Sequence, residues 1–143
     1  MTHPFGNTIT TDTIIEIMSG FSSWEDRYRQ VIMWGKLLPK MDDELKQEQL
    51  LVSGCESKVW LLSEFDGQRW HFQIDSDARI VRGLIALVLA AFYLKTTAEI
   101  NAFDTPDYFS QLGLIDHLSP SRGNGLKAIV EQIQQLVESY QSH

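Results

Sequence analysis

Val59-Trp60-Leu61-Leu62-Ser63-Glu64-Phe65-Asp66-Gly67-Gln68-Arg69-Trp70-His71-Phe72-Gln73-Ile74-Asp75 decides the fold class. Asp66-Gly67 separates two apolar runs, and Asp-Gly between such runs is a strong hairpin signal because tight hairpin turns need φ > 0. The spacing predicts strands over 59–65 and 69–75. In the second run Trp70, Phe72 and Ile74 alternate with His71, Gln73 and Asp75, so one face of the hairpin is buried.

Downstream, Asp75-Ser76-Asp77 supplies candidate capping side chains for a helix over 78–94. That helix is apolar nearly all round after Arg82, which places it across the sheet as the core helix. Its apolar run, 83–94, is too short to span a bilayer. Residues 97–103 and 106–112 read as short helices, 119–125 as a turn, and the remainder to about Tyr140 as an amphipathic helix.

Upstream, Thr13 with Glu16 resembles a capping box, and a short helix runs to Gly20. Ser23 caps a second helix with Trp24, Tyr28, Val31 and Ile32 on one face and an i,i+4 pair of Glu25 with Arg29 on another. Gly35 and Pro39 end it. Residues 42–49 read as a short polar helix and 49–53 as a third strand, which would put Cys55 in a loop between strands. The sum is one α+β domain over 1–143: a small antiparallel sheet with helices packed on one face.

The chain of 143 residues is long enough to bury a core, and 43% apolar residues argue against disorder. Twelve basic against 19 acidic side chains, net −7, oppose a nucleic-acid binder, which needs a basic face. The opening Met1-Thr2-His3-Pro4-Phe5-Gly6 lacks the regions of a signal peptide. The single cysteine rules out an intrachain disulfide framework, and with no export signal a cytoplasmic setting without membrane attachment is expected.

Little of the usual catalytic vocabulary is present. His3, His71, His117 and His143 do not pair with one another or with Cys55 at metal-ligand spacing, so no metal is expected. There is no H-E-x-x-H, no G-x-S-x-G and no P-loop. Gly123 and Gly125 around Asn124 are a plain helix entry rather than an anion site. Asp75 and Asp77 are read as capping groups rather than acid/base carboxylates.

Gly54-Cys55-Glu56-Ser57 remains. A lone cysteine is most often a small buried hydrophobe. Here it falls in a predicted loop, where function concentrates, with Gly54 freeing the backbone and small or polar neighbours leaving the sulfur approachable. Isolation suits a persulfide, because a second thiol nearby would attack it. Three readings stand at this point: a sulfur carrier, a small cysteine-dependent hydrolase or peroxidase needing a base beside Cys55, and an interaction module in which Cys55 merely packs.

Four ordered blocks resemble one family. They are Val52-Ser53-Gly54-Cys55-Glu56-Ser57-Lys58-Val59-Trp60; Trp24-Glu25-Asp26-Arg27-Tyr28 with Gly35 and Leu38-Pro39; Asp75-Ser76-Asp77-Ala78-Arg79-Ile80-Val81-Arg82-Gly83-Leu84; and Leu118-Ser119-Pro120-Ser121-Arg122-Gly123-Asn124-Gly125-Leu126. Together they are similar to the SufE family of sulfur acceptors. The opening His3-Pro4-Phe5-Gly6, the stretch from Arg27 to Met33, and Glu56 where glutamine is common, look closer to its CsdE branch.

The resemblance implies the α+β fold shared with IscU-type scaffolds, although one cysteine cannot hold a cluster alone. It implies a carrier rather than an enzyme. Cys55 would take a persulfide sulfur from a cysteine desulfurase, stimulate that enzyme, and pass sulfur to an iron–sulfur assembly protein or another downstream acceptor. Arg122, Gly54, Glu56 and Ser57 would face the partner. Pyridoxal phosphate belongs to the desulfurase, so no cofactor is expected in this chain, and a monomer or weak dimer is implied.

Overall fold

A computed structural model describes residues 3–54 and 57–141. The hairpin forms around Asp66. Its N–H donates to the Arg69 carbonyl at 3.1 Å, and its Oδ1 accepts from the N–H groups of Gln68 at 2.9 Å and Arg69 at 2.7 Å. These backbone donors, led by Arg69, together with the His71 ring 3.0 Å away, hold the Asp66 carboxyl down to about 2. Gly67 takes φ +101°, the conformation for which a side chain is unsuited. Strands β1 (Val59–Phe65) and β2 (Trp70–Ser76) pair antiparallel, with Leu61 opposite Ile74, Ser63 opposite Phe72 and Phe65 opposite Trp70. Trp70, Phe72 and Ile74 are buried, as their alternation requires.

Helix α3 (Arg79–Phe92) is the core helix, buried at every residue from Gly83 to Phe92. Helix α2 (Trp24–Gly35) crosses it where two glycines meet. A side chain on Gly35 would stand 2.7 Å from the Gly83 nitrogen, and one on Gly83 would stand 2.4 Å from the Val31 carbonyl oxygen. After α3, Leu94 adopts φ +62° and pairs with the outer edge of β2: Leu94 N–H donates to Trp70 O at 2.8 Å and Trp70 N–H to Lys95 O at 2.9 Å.

Helices α4 (Thr97–Ala102) and α5 (Thr105–Leu112) follow, capped by Thr96 with Glu99 and by Asp104; a left-handed Gly113 ends α5. The Tyr108 hydroxyl donates to the Leu87 carbonyl at 3.0 Å, and burial pushes its pKa well above the usual phenol range. The long α6 (Pro120–Gln141) closes the domain, its Tyr140 ring 4.7 Å from Phe65 and 5.5 Å from Trp70.

Several sequence expectations change. The sheet has two strands among the described residues. In place of a third strand over 49–53 there is a 3₁₀ turn, Glu48–Leu50, and a single bridge between Leu51 and Trp60. The polar helix over 42–49 is two 3₁₀ turns, Asp43–Leu45 and Glu48–Leu50. Helix α1 (Thr11–Ser19) is capped by Thr10, whose hydroxyl accepts from Thr13 N–H, rather than by Thr13 with Glu16. Arg29 pairs with Asp26 at 3.5 Å, not with Glu25, whereas the expected apolar face of α2 does pack on the core, Val31 buried and Trp24, Tyr28 and Ile32 partly buried, with Trp34 joining it. The segment 119–125 is no turn, because α6 already begins at Pro120.

The largest correction concerns Asp75. It does not cap α3; its side chain is 1% exposed and ion-paired with Arg82. Its other oxygen accepts from Met41 N–H at 2.9 Å and lies 3.5 Å from the Lys46 ammonium, while Arg82 also donates to the Leu38 carbonyl at 2.7 Å. The stretch 38–46 thus covers the end of the sheet face on which alternation placed Asp75. At the other margin, Phe5 is fully buried and His3 packs 4.4 Å from Tyr93, its Nδ1 accepting from Phe5 N–H at 3.2 Å. Burial lowers the His3 pKa, and its Nε2 has no hydrogen-bond partner among the described residues.

Candidate functional site

Val52 N–H donates to the Val59 carbonyl at 2.9 Å, so the sheet ladder closes the base of the segment that carries the predicted site. Within it, Gly54 has φ +90°, and a side chain there would touch the Ala128 methyl of α6 at 3.4 Å. The positive φ accounts for glycine, and the approach sets this segment against the first turns of α6. Cys55 and Glu56 lie outside the described residues. Gly54 is exposed, Ser57 half-buried and Lys58 exposed.

Beside Ser57 lies a cleft of about 370 Å³ between β1, α3 and α6. Val59, Val81, Leu84, Leu126 and Ile129 line it with apolar surface; Ser57, Ser119, Ser121 and Arg122 add polar groups. Ser119 caps α6: its hydroxyl accepts from Arg122 N–H at 3.4 Å and its carbonyl from Gly123 N–H at 2.9 Å. Pro120 at the first helical position suits a place whose N–H has no helical partner. Arg122 is exposed on that first turn and makes no ion pair among the described residues.

The structure therefore brings Arg122 and Ser57 to one cleft, with Gly54 against the same helix, although the two lie 65 positions apart in the chain. Sequence reasoning missed Val81 and Leu84, read only as core, and Ser119 and Ser121, read only as turn residues. A helix start at Ser119-Pro120 was the available signal for the serines. Arg27, within the Trp24–Tyr28 block, is a brace: it donates to the carbonyls of Met18 at 3.3 Å and Phe21 at 3.1 Å.

No histidine among the described residues lines this cleft; His117 stacks on Trp24 at 4.6 Å and His71 pairs with Asp66. No group of three or more His, Cys, Asp or Glu among the described residues could hold a metal ion. No described helix is long and apolar enough to cross a membrane.

The sequence profile of the SufE family, described as an Fe-S metabolism associated domain, matches residues 12–137. The sulfur acceptor protein CsdE of Escherichia coli (strain K12) is 46% identical over 132 residues, covering 92% of this chain and 90% of that protein. An uncharacterized SufE-like protein of Rhizobium meliloti (strain 1021) is 43% identical over 131 residues, covering 89% of this chain and 94% of the other. The solution structure of a hypothetical protein from Thermus thermophilus superposes with a TM-score of 0.75 over 100% of both chains at 16% identity, so the fold is shared. The chain belongs to the SufE family, and within it to the CsdE branch.

Proposed function

We propose that this protein is a sulfur acceptor that takes a persulfide sulfur from a cysteine desulfurase onto Cys55. The observation that carries the reading is the shared cleft: Ser57, two residues beyond Cys55, and Arg122, on the first turn of α6, line one small cavity. The CsdE relative, named a sulfur acceptor, supports the same role.

The chemistry is thiol–persulfide exchange. The Cys55 thiolate attacks the outer sulfur of the donor's protonated persulfide. A new S–S bond forms on Cys55, the donor's S–S bond breaks, and the donor cysteine leaves as a thiolate. No net oxidation occurs. Arg122 supplies positive charge where thiolate is needed, which favours the reactive form. Gly54, Glu56 and Ser57 present the segment to the partner. By clearing the donor cysteine the carrier raises desulfurase turnover, and it then passes its sulfur to a downstream acceptor in iron–sulfur assembly or a related pathway. It acts as a carrier, without its own cofactor; the pyridoxal phosphate is the desulfurase's.

Mass spectrometry after incubation with the cognate desulfurase and L-cysteine tests this. A sulfur adduct is expected on the Cys55 peptide and is lost in Cys55→Ser. An adduct-free wild type beside an active desulfurase would sink the reading, and equal desulfurase stimulation by wild type and Cys55→Ala would make Cys55 structural.

A further inference from the structure

Helix α2 carries a second feature that the sulfur chemistry does not use. Trp24, Tyr28 and Ile32 recur at every fourth residue and, with Met33, Lys36 and Arg79, line a groove of about 470 Å³. Exposed apolar surface is present in its lining: Met33 is 52% exposed, and Leu37, four residues on and outside the lining, is 49% exposed. Large exposed apolar side chains grouped with aromatics mark binding surfaces.

The charge around the groove is opposite in sign to that of the whole chain. Arg29, Lys36 and Arg79 line it against Glu25, and the chain's net charge is −7. Arg29 is partly answered by Asp26 at 3.5 Å. Lys36 and Arg79 are exposed and make no ion pair among the described residues.

The groove also adjoins the Arg122 cleft. Arg79 is the first residue of α3, and Val81, two positions on, lines that cleft. Residues two apart on a helix point to nearly opposite sides. The first turn of α3 is therefore the ridge between the two hollows.

We infer that this groove is a docking surface for the sulfur-donating desulfurase, receiving an acidic segment of that enzyme that carries an apolar side chain. The inference rests on the sulfur-acceptor reading above. Acidic groups on the segment would answer Lys36 and Arg79, and its apolar side chain would lie between Trp24, Tyr28, Ile32 and Met33. Docking across the ridge would bring the donor to the cleft that holds Arg122 and Ser57.

Calorimetric titration with the desulfurase that loads Cys55 tests it. Lys36→Glu/Arg79→Glu and, separately, Met33→Asp should each weaken binding about tenfold or more, and the charge variant should flatten the salt dependence between 0.1 and 1 M. Lys36→Arg should bind as wild type does. Circular dichroism checks folding; if the charge reversal unfolds the chain, Lys36→Gln/Arg79→Gln carries the same test. A charge variant within about twofold of wild type, with an unchanged salt slope, overturns the inference while wild type still takes up sulfur. A weakened charge variant beside a neutral Met33→Asp overturns the apolar anchor. A wild type that neither binds nor accepts sulfur brings down the sulfur-acceptor reading itself, and this inference with it.

Discussion

Replacing Gly83 by alanine should destabilise the protein, while the same change at Gly123 should stabilise it. Both glycines lie in helices, where alanine is favoured by about 1 kcal/mol. At Gly83 the added methyl would stand 2.4 Å from the Val31 carbonyl oxygen, 2.5 Å from Val31 Cγ1 and 2.8 Å from the Val31 carbonyl carbon. Ordinary nonbonded contact begins near 3.5 Å, so α2 and α3 must part by about 1 Å. Two of those three atoms are backbone, and Val31 is 1% exposed, so no flexible side chain can yield instead. Overpacking of this kind costs about 3 kcal/mol, the upper end of its usual range. The net loss is about 2 kcal/mol, or roughly 7 °C in Tm for a chain of this size. At Gly123 the methyl would meet nothing within 4 Å. The helix preference then acts alone, and Tm should rise by about 3–4 °C. Thermal melts by circular dichroism, with urea midpoints beside them, measure both. A Gly83→Ala protein as stable as wild type would refute the close crossing.

Three other outcomes follow from named contacts. Asp75→Ala should cost about 3 kcal/mol in urea titration, because it strands the Arg82 charge and frees Met41 N–H; a loss under about 1 kcal/mol would contradict the buried pair. Burial lowers the His3 pKa from 6.5, so the fold prefers the neutral ring. That contribution is complete above pH 6.5 and is lost as pH falls through the lowered value; melting should drop there in wild type and less in His3→Gln, and parallel pH curves would count against it. Arg122→Ala should slow sulfur acceptance about tenfold in a desulfurase assay while moving Tm by only a degree or two, and a sharp fall in Tm with normal transfer per folded molecule would make Arg122 structural.

How far the sequence could be read depends on the range of the interaction involved. Asp66-Gly67, the Trp70–Phe72–Ile74 alternation and the apolar run of α3 are local patterns, and the structure carries each of them. Asp75 escaped because alternation cannot reveal that the stretch 38–46, about 30 residues away, folds over its face of the sheet. The third strand failed for a related reason. Pairing with β1 ends after the Leu51–Trp60 bridge and the Val52–Val59 hydrogen bond, where Gly54 turns at positive φ. In 119–125 the glycines suggested a turn, but Ser119 capping with Pro120 at the first position starts the helix before them. At the candidate site, Arg122 and Ser57 were legible through their motifs; Val81 and Leu84 were not, since helical periodicity marks them as core and says nothing of the cavity they border.

The Asp75 network also bears on how the segment carrying Cys55 is presented. Residues 38–52 have little regular structure, yet long-range ties hold them. Arg82 takes the Leu38 carbonyl, Asp75 takes Met41 N–H and the Lys46 ammonium, Lys46 lies 5.0 Å over the Trp60 ring, and Val52 pairs with Val59. Fixing a backbone residue costs on the order of 1 kcal/mol. With these ties formed, that cost is met in folding for the approach to the site. Loosening the ties shifts the ordering cost from folding to binding. Asp75→Ala should therefore weaken desulfurase affinity as well as stability, although Asp75 is 1% exposed and cannot touch the partner. Gly83→Ala leaves the 38–52 ties in place, so at a temperature where both variants are folded its affinity should fall less than that of Asp75→Ala. Equal losses in the two would mean that general destabilisation, rather than the anchoring of this stretch, sets the presentation of the site.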